Sequence, residues 1–284
     1  MIYITYEDLC RDVRENLNKI PLDICGVIGC PRSGMMPAAM IAEHLNVGLT
    51  SPDTIIRCGS VREALSEHGG RRLRETDSNK ILVVEDTCAR GSSLLATREK
   101  LKHCALYGYE PIFLAVYLEG VCDRSSPDIW LRDIRKEAER CPFGWAVYEW
   151  NLFAHGRLTE HTLFDLDGVI CEEPPDERIV EQYEAYIRKP VPKHVPTAHP
   201  VHICTYRLEK YRRFTMEGLA SIGVHDCDCR MASGRDIAPW KIKADVYKDN
   251  YWVLFVESSD KQARMIHELT GKPVICITTN KLYG

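Results

Sequence analysis

Two short stretches of the 284-residue sequence place a pair of carboxylates directly after an apolar run. In ILVVEDTCARGSS, Glu85 and Asp86 follow four apolar residues and precede a loop of small and hydroxyl-bearing residues. In TLFDLDG, Asp165 and Asp167 are separated by one residue and followed by a glycine. Carboxylates in such places bind sugar hydroxyls, act as acids, bases or nucleophiles, or hold a divalent cation.

The loop after the first acid pair is suited to a phosphate group. Thr87 to Ser93 supply Gly91 and several hydroxyls where a helix is expected to begin. A loop of small residues that opens a helix presents free backbone N–H groups and the positive end of the helix dipole. Because acids would repel the phosphate itself, we expect Glu85 and Asp86 to bind sugar hydroxyls while the loop holds the phosphate.

This stretch resembles the motif with which type I phosphoribosyltransferases bind PRPP (5-phosphoribosyl 1-pyrophosphate). The resemblance implies that Glu85 and Asp86 contact the ribose 2- and 3-hydroxyls. It also implies that the following loop binds the 5-phosphate, through Thr87, Ala89, Arg90, Gly91, Ser92 and Ser93. The family's loop is commonly richer in Thr, so Arg90 is a departure that adds a positive charge.

A second piece of the N-terminal half is similar to the pyrophosphate loop of the same family. GVIGCPRSGMMPAAMIAEHL reads as strand, turn and helix, with Arg32, Ser33 and Gly34 in the turn. Gly34 allows close backbone approach, and Arg32 can face a diphosphate oxygen.

Between the two pieces, residues 58–80 form either a loop that closes over the reacting centre, as in the family, or a solvated hairpin. In the first case Arg71, Arg72 and Arg74 bring positive charge to the leaving pyrophosphate.

The second acid pair resembles motif I of the haloacid dehalogenase (HAD) superfamily, D-x-D-G after an apolar strand. Side chains at i and i+2 of a strand face the same side, so both carboxylates can reach one site. The other family motifs follow in order, with Thr205 at the end of VHICT, Lys243 or alternatively Lys241 in WKIKADVYK, and Glu257 and Asp260 in VLFVESSDKQA.

The HAD resemblance implies a phosphatase that works through an aspartyl phosphate. Asp165 is then the nucleophile and Asp167 the general acid and base, while Thr205 and Lys243 bind the phosphoryl oxygens. Mg²⁺ is the implied cofactor, held by Asp165, the backbone carbonyl of Asp167 and Glu257 or Asp260. The short stretch between Asp167 and Thr205 leaves little room for a cap domain.

The remaining sequence predicts the scaffold that positions these residues. Apolar runs that suit strands of a parallel sheet covered on both faces alternate with helix-period segments. These runs are residues 24–29, 81–86, 111–118, 145–150, 162–167, 201–205, 253–258 and 273–278. We therefore predict an α/β protein with two Rossmann-like parallel-sheet domains, the first phosphoribosyltransferase-like over 1–157 and the second HAD-like and nearly capless over 158–284.

Composition limits the other classes of function. Hydrophobic residues make up 45% and charged residues 27%, the balance of an ordinary soluble globular protein, and the net charge of -4 does not favour nucleic acid or a membrane surface. No apolar run approaches the roughly 18 residues of a membrane span, and we expect a cytoplasmic protein. The thirteen cysteines indicate buried thiols in a reducing compartment.

The sequence thus predicts a bifunctional enzyme that transfers phosphoribose from PRPP to an unidentified acceptor and hydrolyses a phosphomonoester. Two alternatives stay open. One is a nucleobase-salvage transferase with an independent phosphatase domain, and the other is a PRPP-sensing regulator without catalysis. Small molecules are the expected partners, without nucleic acid or membrane, and the oligomeric state is left open, with a homodimer as the alternative to a monomer.

Overall fold

The computed structural model describes residues 1–66, 77–102, 106 and 108–284. Its contacts divide the chain into two compact units, Ile2–Ala146 and Val147–Gly284, which we call the N-terminal and C-terminal units. The division lies earlier than the boundary predicted after residue 157. Leu152 is buried, and the ring of Phe153 stacks on the ring of His194 and contacts that of Phe164, which ties this stretch to the C-terminal unit.

The N-terminal unit alternates strands and helices along the chain. In order they are β1 Tyr3–Ile4, α1 Tyr6–Glu15, a 3-10 turn Leu17–Lys19, β2 Ile24–Gly29, α2 Met35–Leu45, β3 Gly48–Thr50, α3 Pro52–Cys58, α4 Val61–Ser66, β4 Lys80–Cys88, α5 Ser92–Lys102, β5 Glu110–Leu118, β6 Ile129–Asp133 and α6 Arg135–Glu139. Helix α1 begins with the expected capping box, in which Thr5 and Asp8 exchange hydrogen bonds.

The sheet of the N-terminal unit has the order β3-β2-β4-β5-β6, and every neighbouring pair is parallel. Strands β2 and β4 are buried almost throughout, as the continuous apolar runs predicted. The strand order reverses between β2 and β4. The loops that follow these two strands therefore open into one crevice, where ligands bind in sheets of this kind.

The C-terminal unit is built in the same way. Its elements are β7 Val147–Tyr148, a 3-10 turn Glu149–Asn151, α7 Gly156–Glu160, β8 Thr162–Phe164, α8 Val180–Arg188, β9 Val201–Leu208, a 3-10 turn Glu209–Tyr211, α9 Arg212–Ser221, β10 Cys227–Ala232, α10 Pro239–Tyr247, β11 Leu254–Glu257, α11 Asp260–Thr270, β12 Val274–Cys276 and β13 Lys281–Tyr283. Helix α11 ends at Gly271, which takes the left-handed conformation expected of a residue after a helix end.

The sheet of the C-terminal unit has the order β10-β9-β8-β11-β12-β13. All neighbouring pairs are parallel except β12 and β13. Here the order reverses between β8 and β11, so the loops after these strands share a crevice. The predicted α/β architecture with parallel sheets is confirmed in both units.

Several strands differ from their predicted bounds. The predicted strand 145–150 shrinks to β7, because Glu149–Asn151 form a 3-10 turn. Strand β9 continues to Leu208, beyond the predicted end at Thr205. Strand β10 was not predicted, since it lies at the sheet edge, is only partly buried and needs no continuous apolar run. Within the part of the chain that the structure describes, none of the helices combines the length and apolar character needed to cross a membrane.

Candidate functional sites

In the N-terminal unit, the acid pair lies inside β4 near its carboxyl end. Glu85 is 6% and Asp86 2% exposed, so both carboxyls are withdrawn from water. The hydroxyl of Ser93, in the first turn of α5, donates a hydrogen bond of 2.9 Å to Glu85 Oε2. Burial and the neighbouring charge of Asp86 raise the pKa of Glu85 to about 7. For Glu85, burial and the charge of its neighbour thus outweigh the hydrogen bond from Ser93.

The loop Ala89–Ser93 packs closely against the segment around Ser125. Gly91 has φ +76°, and a Cβ there would lie 1.8 Å from the carbonyl oxygen of Ser125. Ser92 and Ser93 are exposed and begin helix α5, where backbone N–H groups cannot be paired within the helix itself. Arg90 is exposed and pairs with Asp123 at 3.3 Å, a surface ion pair of small energetic value.

The turn after β2 lies beside the same strand. Gly34 is buried against β4, and a Cβ there would lie 2.6 Å from the carbonyl oxygen of Val84 and 2.7 Å from that of Cys30. Only glycine fits this close backbone approach. Arg32 is exposed and Ser33 half-buried, and the Pro31–Arg32 peptide is cis. Arg71, Arg72 and Arg74 lie outside the described residues.

In the C-terminal unit, a buried ammonium joins two buried carboxylates. Lys243 Nζ lies 2.8 Å from Asp165 Oδ2 and 2.7 Å from Glu257 Oε2, and all three side chains are at most 7% exposed. Asp165 follows β8 and Glu257 ends β11, the two strands at which the sheet order reverses. Lys243 is thus the lysine at the site, whereas Lys241 on the same helix is exposed.

The charges of this cluster do not cancel. Burial and the charge of Glu257 raise the pKa of Asp165 well above its usual value, although Lys243 acts in the opposite direction. Burial lowers the pKa of Lys243, but the two carboxylates more than offset this effect and keep the ammonium protonated. If both acids were ionised, the cluster would carry one negative charge in a buried place; a proton on Asp165, which its raised pKa favours, or a bound cation would offset that charge.

The second aspartate of the pair is held by an arginine. Arg207 Nε lies 3.0–3.1 Å from both carboxylate oxygens of Asp167, and its Nη2 also bonds Oδ1. Arg207 is 3% exposed, and Thr205, 1% exposed, accepts a hydrogen bond from the Arg207 backbone N–H through its hydroxyl. Because β9 continues past Thr205, residues 205 and 207 face the same side of the strand.

A cavity of about 280 Å³ opens beside these residues. Asp165, Asp167, Thr205 and Lys243 all line it, so the structure brings the four predicted catalytic residues together. The other lining residues are Glu173, Pro174, Pro175, Glu177, Tyr183, Tyr206, Arg207, Arg235, Pro239, Ser258, Ser259 and Gln262. The segment between Asp167 and Thr205, treated in the sequence as a wrapping loop, thus supplies one wall of the cavity.

Asp260 is placed differently from the other predicted cation ligands. It is the exposed first residue of α11, and its Oδ1 accepts hydrogen bonds from Thr279 Oγ1 at 3.2 Å and from the hydroxyl of Tyr283 at 2.6 Å. Neither Asp260 nor Glu257 lines the cavity, but Glu257 touches Lys243 directly.

The donor set at the cavity suits a cation that keeps part of its water shell. No group of three or more His, Cys, Asp or Glu side chains is arranged to hold a metal ion among the residues described. Mg²⁺ is commonly bound by one or two carboxylates together with waters and substrate phosphate. Asp165, Glu257 and the carbonyl oxygen of Asp167, which lies 3.3 Å from Ser258 Oγ, fit that requirement.

Comparison with known proteins finds similarity to phosphoribosyltransferases over about half of the chain. The chain is 29% identical over 154 residues to a xanthine-guanine phosphoribosyltransferase of Chromohalobacter salexigens, a match that covers 52% of this chain and 83% of the relative. No family model matches.

Three solved structures give weaker likenesses. A purine phosphoribosyltransferase of Pyrococcus horikoshii and a xanthine-guanine-hypoxanthine phosphoribosyltransferase of Helicobacter pylori each show 16% identity, a TM-score of 0.35 and coverage of 52% of this chain and 92% of theirs. An orotate phosphoribosyltransferase of Aeropyrum pernix shows 19% identity, a TM-score of 0.32 and coverage of 49% and 76%.

The raised pKa of Glu85 predicts a stability that depends on pH. A carboxyl whose pKa is higher in the folded than in the unfolded protein stabilises the fold at low pH, and this contribution is lost as the pH rises from about 4.5 to about 7. Glu85→Gln removes the ionisation. We expect the variant to exceed the natural protein in free energy of unfolding by about 1–3 kcal/mol at pH 8, with little difference at pH 4.5.

Urea unfolding at the two pH values measures this effect. Glu15→Gln, at an exposed position near the end of α1, is the matched control and should behave like the natural protein at both pH values. A Glu85→Gln variant whose advantage is the same at pH 4.5 and 8 would contradict the assignment.

The buried ammonium predicts a large difference between two lysines of α10. Lys243→Met leaves Asp165 and Glu257 facing each other without a counter-charge, and we expect a loss of about 3–5 kcal/mol in free energy of unfolding. Lys241→Met, at an exposed position of the same helix, should change it by less than about 0.5 kcal/mol. Denaturant unfolding measures both effects. Equal losses for the two substitutions would contradict the assignment of Lys243 as the buried counter-charge of Asp165 and Glu257.

Proposed function

We propose that this protein is a bifunctional enzyme. Its N-terminal unit transfers 5-phosphoribose from PRPP to an acceptor with release of pyrophosphate, and its C-terminal unit hydrolyses a phosphomonoester. The observation that carries the first activity is the buried pair Glu85 and Asp86 next to a small-residue loop, in a chain similar to phosphoribosyltransferases over half of its length. The second activity rests on the cluster of Asp165, Lys243 and Glu257.

In the transferase site, each part of PRPP has a complementary group. The carboxylates of Glu85 and Asp86 accept hydrogen bonds from the ribose hydroxyls, and the N–H groups of residues 89–93 bind the 5-phosphate at the start of α5. The turn Arg32–Gly34 faces the pyrophosphate, with Gly34 close to the backbone of β4. The acceptor attacks C1 of the ribose, the bond from C1 to the pyrophosphate oxygen breaks, and pyrophosphate leaves.

A purine base is the first acceptor to test. The relative from Chromohalobacter salexigens is named for xanthine and guanine. A base acceptor would make the N-terminal unit a nucleobase-salvage enzyme, and the C-terminal unit would then act either on its nucleotide product or on an unrelated phosphomonoester.

In the phosphatase site, the pair of aspartates divides the chemistry. The Asp165 carboxylate attacks phosphorus, the bond to the leaving oxygen breaks, and that oxygen takes a proton from Asp167. Water then attacks the aspartyl phosphate, gives its proton to Asp167 and releases phosphate from Asp165. Lys243 and Thr205 are placed to stabilise the negative charge that develops on the phosphoryl oxygens.

The ion pair of Arg207 with Asp167 affects this catalytic cycle. Its guanidinium holds both carboxylate oxygens of Asp167, the group that exchanges the proton. When Asp167 gives a proton to the leaving group or takes one from water, its pair with Arg207 has to rearrange. An anionic substrate in the cavity can accept the released guanidinium.

Mg²⁺ fits both proposals as the cofactor. At the second site Asp165, Glu257 and the Asp167 carbonyl would hold it, and Glu257 is preferred to Asp260 because it shares Lys243 with Asp165, whereas Asp260 bonds Thr279 and Tyr283. Bound there, the ion supplies positive charge that offsets the repulsion between the nucleophilic carboxylate and the substrate phosphate.

Loss of one acid should weaken PRPP binding. Asp86→Ala removes a charged hydrogen-bond acceptor, and we expect a loss of about 1.5–3 kcal/mol in binding free energy, measured by titration calorimetry with PRPP and Mg²⁺. Asp53→Ala, which removes an exposed partner of Lys100, is the control and should bind PRPP normally. Unchanged affinity in Asp86→Ala would remove the acid pair from the PRPP site.

The nucleophile can be tested with a general substrate. Asp165→Asn is nearly isosteric, so we expect it to keep the fold but to release no phosphate from p-nitrophenyl phosphate in the presence of Mg²⁺. Asp245→Asn, at an exposed position of α10, should retain full activity. Phosphate release by Asp165→Asn at the rate of the natural protein would show that another group attacks phosphorus.

A further inference from the structure

Two cysteines of the N-terminal unit lie unusually close together. Cys88 Sγ and Cys122 Sγ are 2.8 Å apart, closer than two sulfurs that only pack against each other. Cys88 is the last residue of β4, directly before the loop Ala89–Ser93, and Cys122 follows β5. Both are free thiols, 2% and 7% exposed.

The backbone already holds the two residues in register. The N–H of Glu119 donates to the carbonyl of Cys88, and the N–H of Cys122 donates to that of Ala89. Cys122 has φ +52°, a left-handed conformation that is costly for a residue with a side chain. The neighbouring contact between Gly120 and Ala89 is so close that a Cβ on Gly120 would lie 2.2 Å from the Ala89 carbonyl oxygen. The two sulfurs are therefore fixed near each other by the main chain.

We propose that Cys88 and Cys122 are an oxidisable dithiol, which a peroxide converts into an intramolecular disulfide beneath the loop Ala89–Ser93. A disulfide needs the sulfurs at about 2.05 Å, so the pair has less than an ångström to close. The inference does not depend on the proposed transferase activity, since it rests on the positions of the two thiols alone.

The chemistry balances with one peroxide molecule. Cys122, the more exposed residue of the two, gives up its thiol proton and its sulfur attacks one oxygen of hydrogen peroxide; the O–O bond breaks, and the departing hydroxide takes up that proton and becomes water. Cys122 is then a sulfenic acid. Cys88 loses its proton and its sulfur attacks that of Cys122, the S–O bond breaks, and the second hydroxide leaves as water. Two thiols and one peroxide thus give one disulfide and two waters.

The environment supports this order of events. Burial and the adjacent Cys122 thiol raise the pKa of Cys88, so Cys88 keeps its proton and does not react first. Once Cys122 is a sulfenic acid, the short distance makes Cys88 the nearest nucleophile. The disulfide joins the end of β4 to the segment around Cys122, and it should slow the local unfolding of both segments.

Peptide mapping of the full-length protein tests the proposal. After treatment with hydrogen peroxide and trypsin, we expect a disulfide between the peptides 81–90 and 103–124, loss of two titratable thiols, and full recovery with dithiothreitol. Because the second peptide also contains Cys104, fragment ions must place the bond on Cys122. Backbone amide exchange of residues 88–93 and 119–125 should be slower in the oxidised protein.

The substitutions Cys88→Ala and Cys122→Ala should each abolish this crosslink, while Cys10→Ala, at an exposed position, should leave it intact. Peptide mapping of the natural protein answers the question even if a variant folds poorly. Three results would overturn the proposal: Cys88 and Cys122 stay reduced while other cysteines are oxidised, they end as separate sulfinic acids, or they pair with other cysteines.

Discussion

The structure depends on the cost of burying carboxylates at the carboxyl ends of parallel strands. A buried carboxylate without compensation loses several kcal/mol of hydration, so each one needs a counter-charge, hydrogen bonds or a proton. The C-terminal unit supplies counter-charges within the chain, from Lys243 to Asp165 and Glu257 and from Arg207 to Asp167. The N-terminal unit gives Glu85 a hydroxyl donor, and the pKa of this carboxyl rises toward neutrality.

This difference between the units matches the two proposed chemistries. A nucleophilic carboxylate has to be aimed at phosphorus, and a fixed ammonium 2.8 Å from Asp165 holds it in place and opposes the rise of its pKa. The carboxylates of the proposed transferase site need only accept hydrogen bonds from the ribose hydroxyls. In both units the acids lie where the strand order reverses, because that is where the loops of two neighbouring strands diverge and leave a crevice.

Much of this arrangement could be predicted from sequence because it is local. The apolar runs identified β2 and β4 well, and the spacing of Asp165 and Asp167 placed two carboxylates at one site. The choice between Lys243 and Lys241 needed the structure, since both lie in one helix and only its packing decides which is buried. The pair of Arg207 with Asp167 depends on β9 continuing past Thr205, which the polar residues there concealed. The contact of Cys88 with Cys122 joins residues far apart in sequence, and no local pattern signals it.

The central claim, that one chain carries out both a phosphoribosyl transfer and a phosphate hydrolysis, can be followed in a single time course. The natural protein is incubated with PRPP, Mg²⁺ and a purine base, and phosphorus NMR records every phosphate species. The account predicts that the PRPP signals decay, pyrophosphate grows in step with a new 5-phosphomonoester, and inorganic phosphate then rises as that monoester declines. A monoester that is not hydrolysed would show that the two units serve separate reactions. If PRPP binds normally but is not consumed with any base tested, the transferase activity is contradicted and a protein that only senses PRPP is favoured.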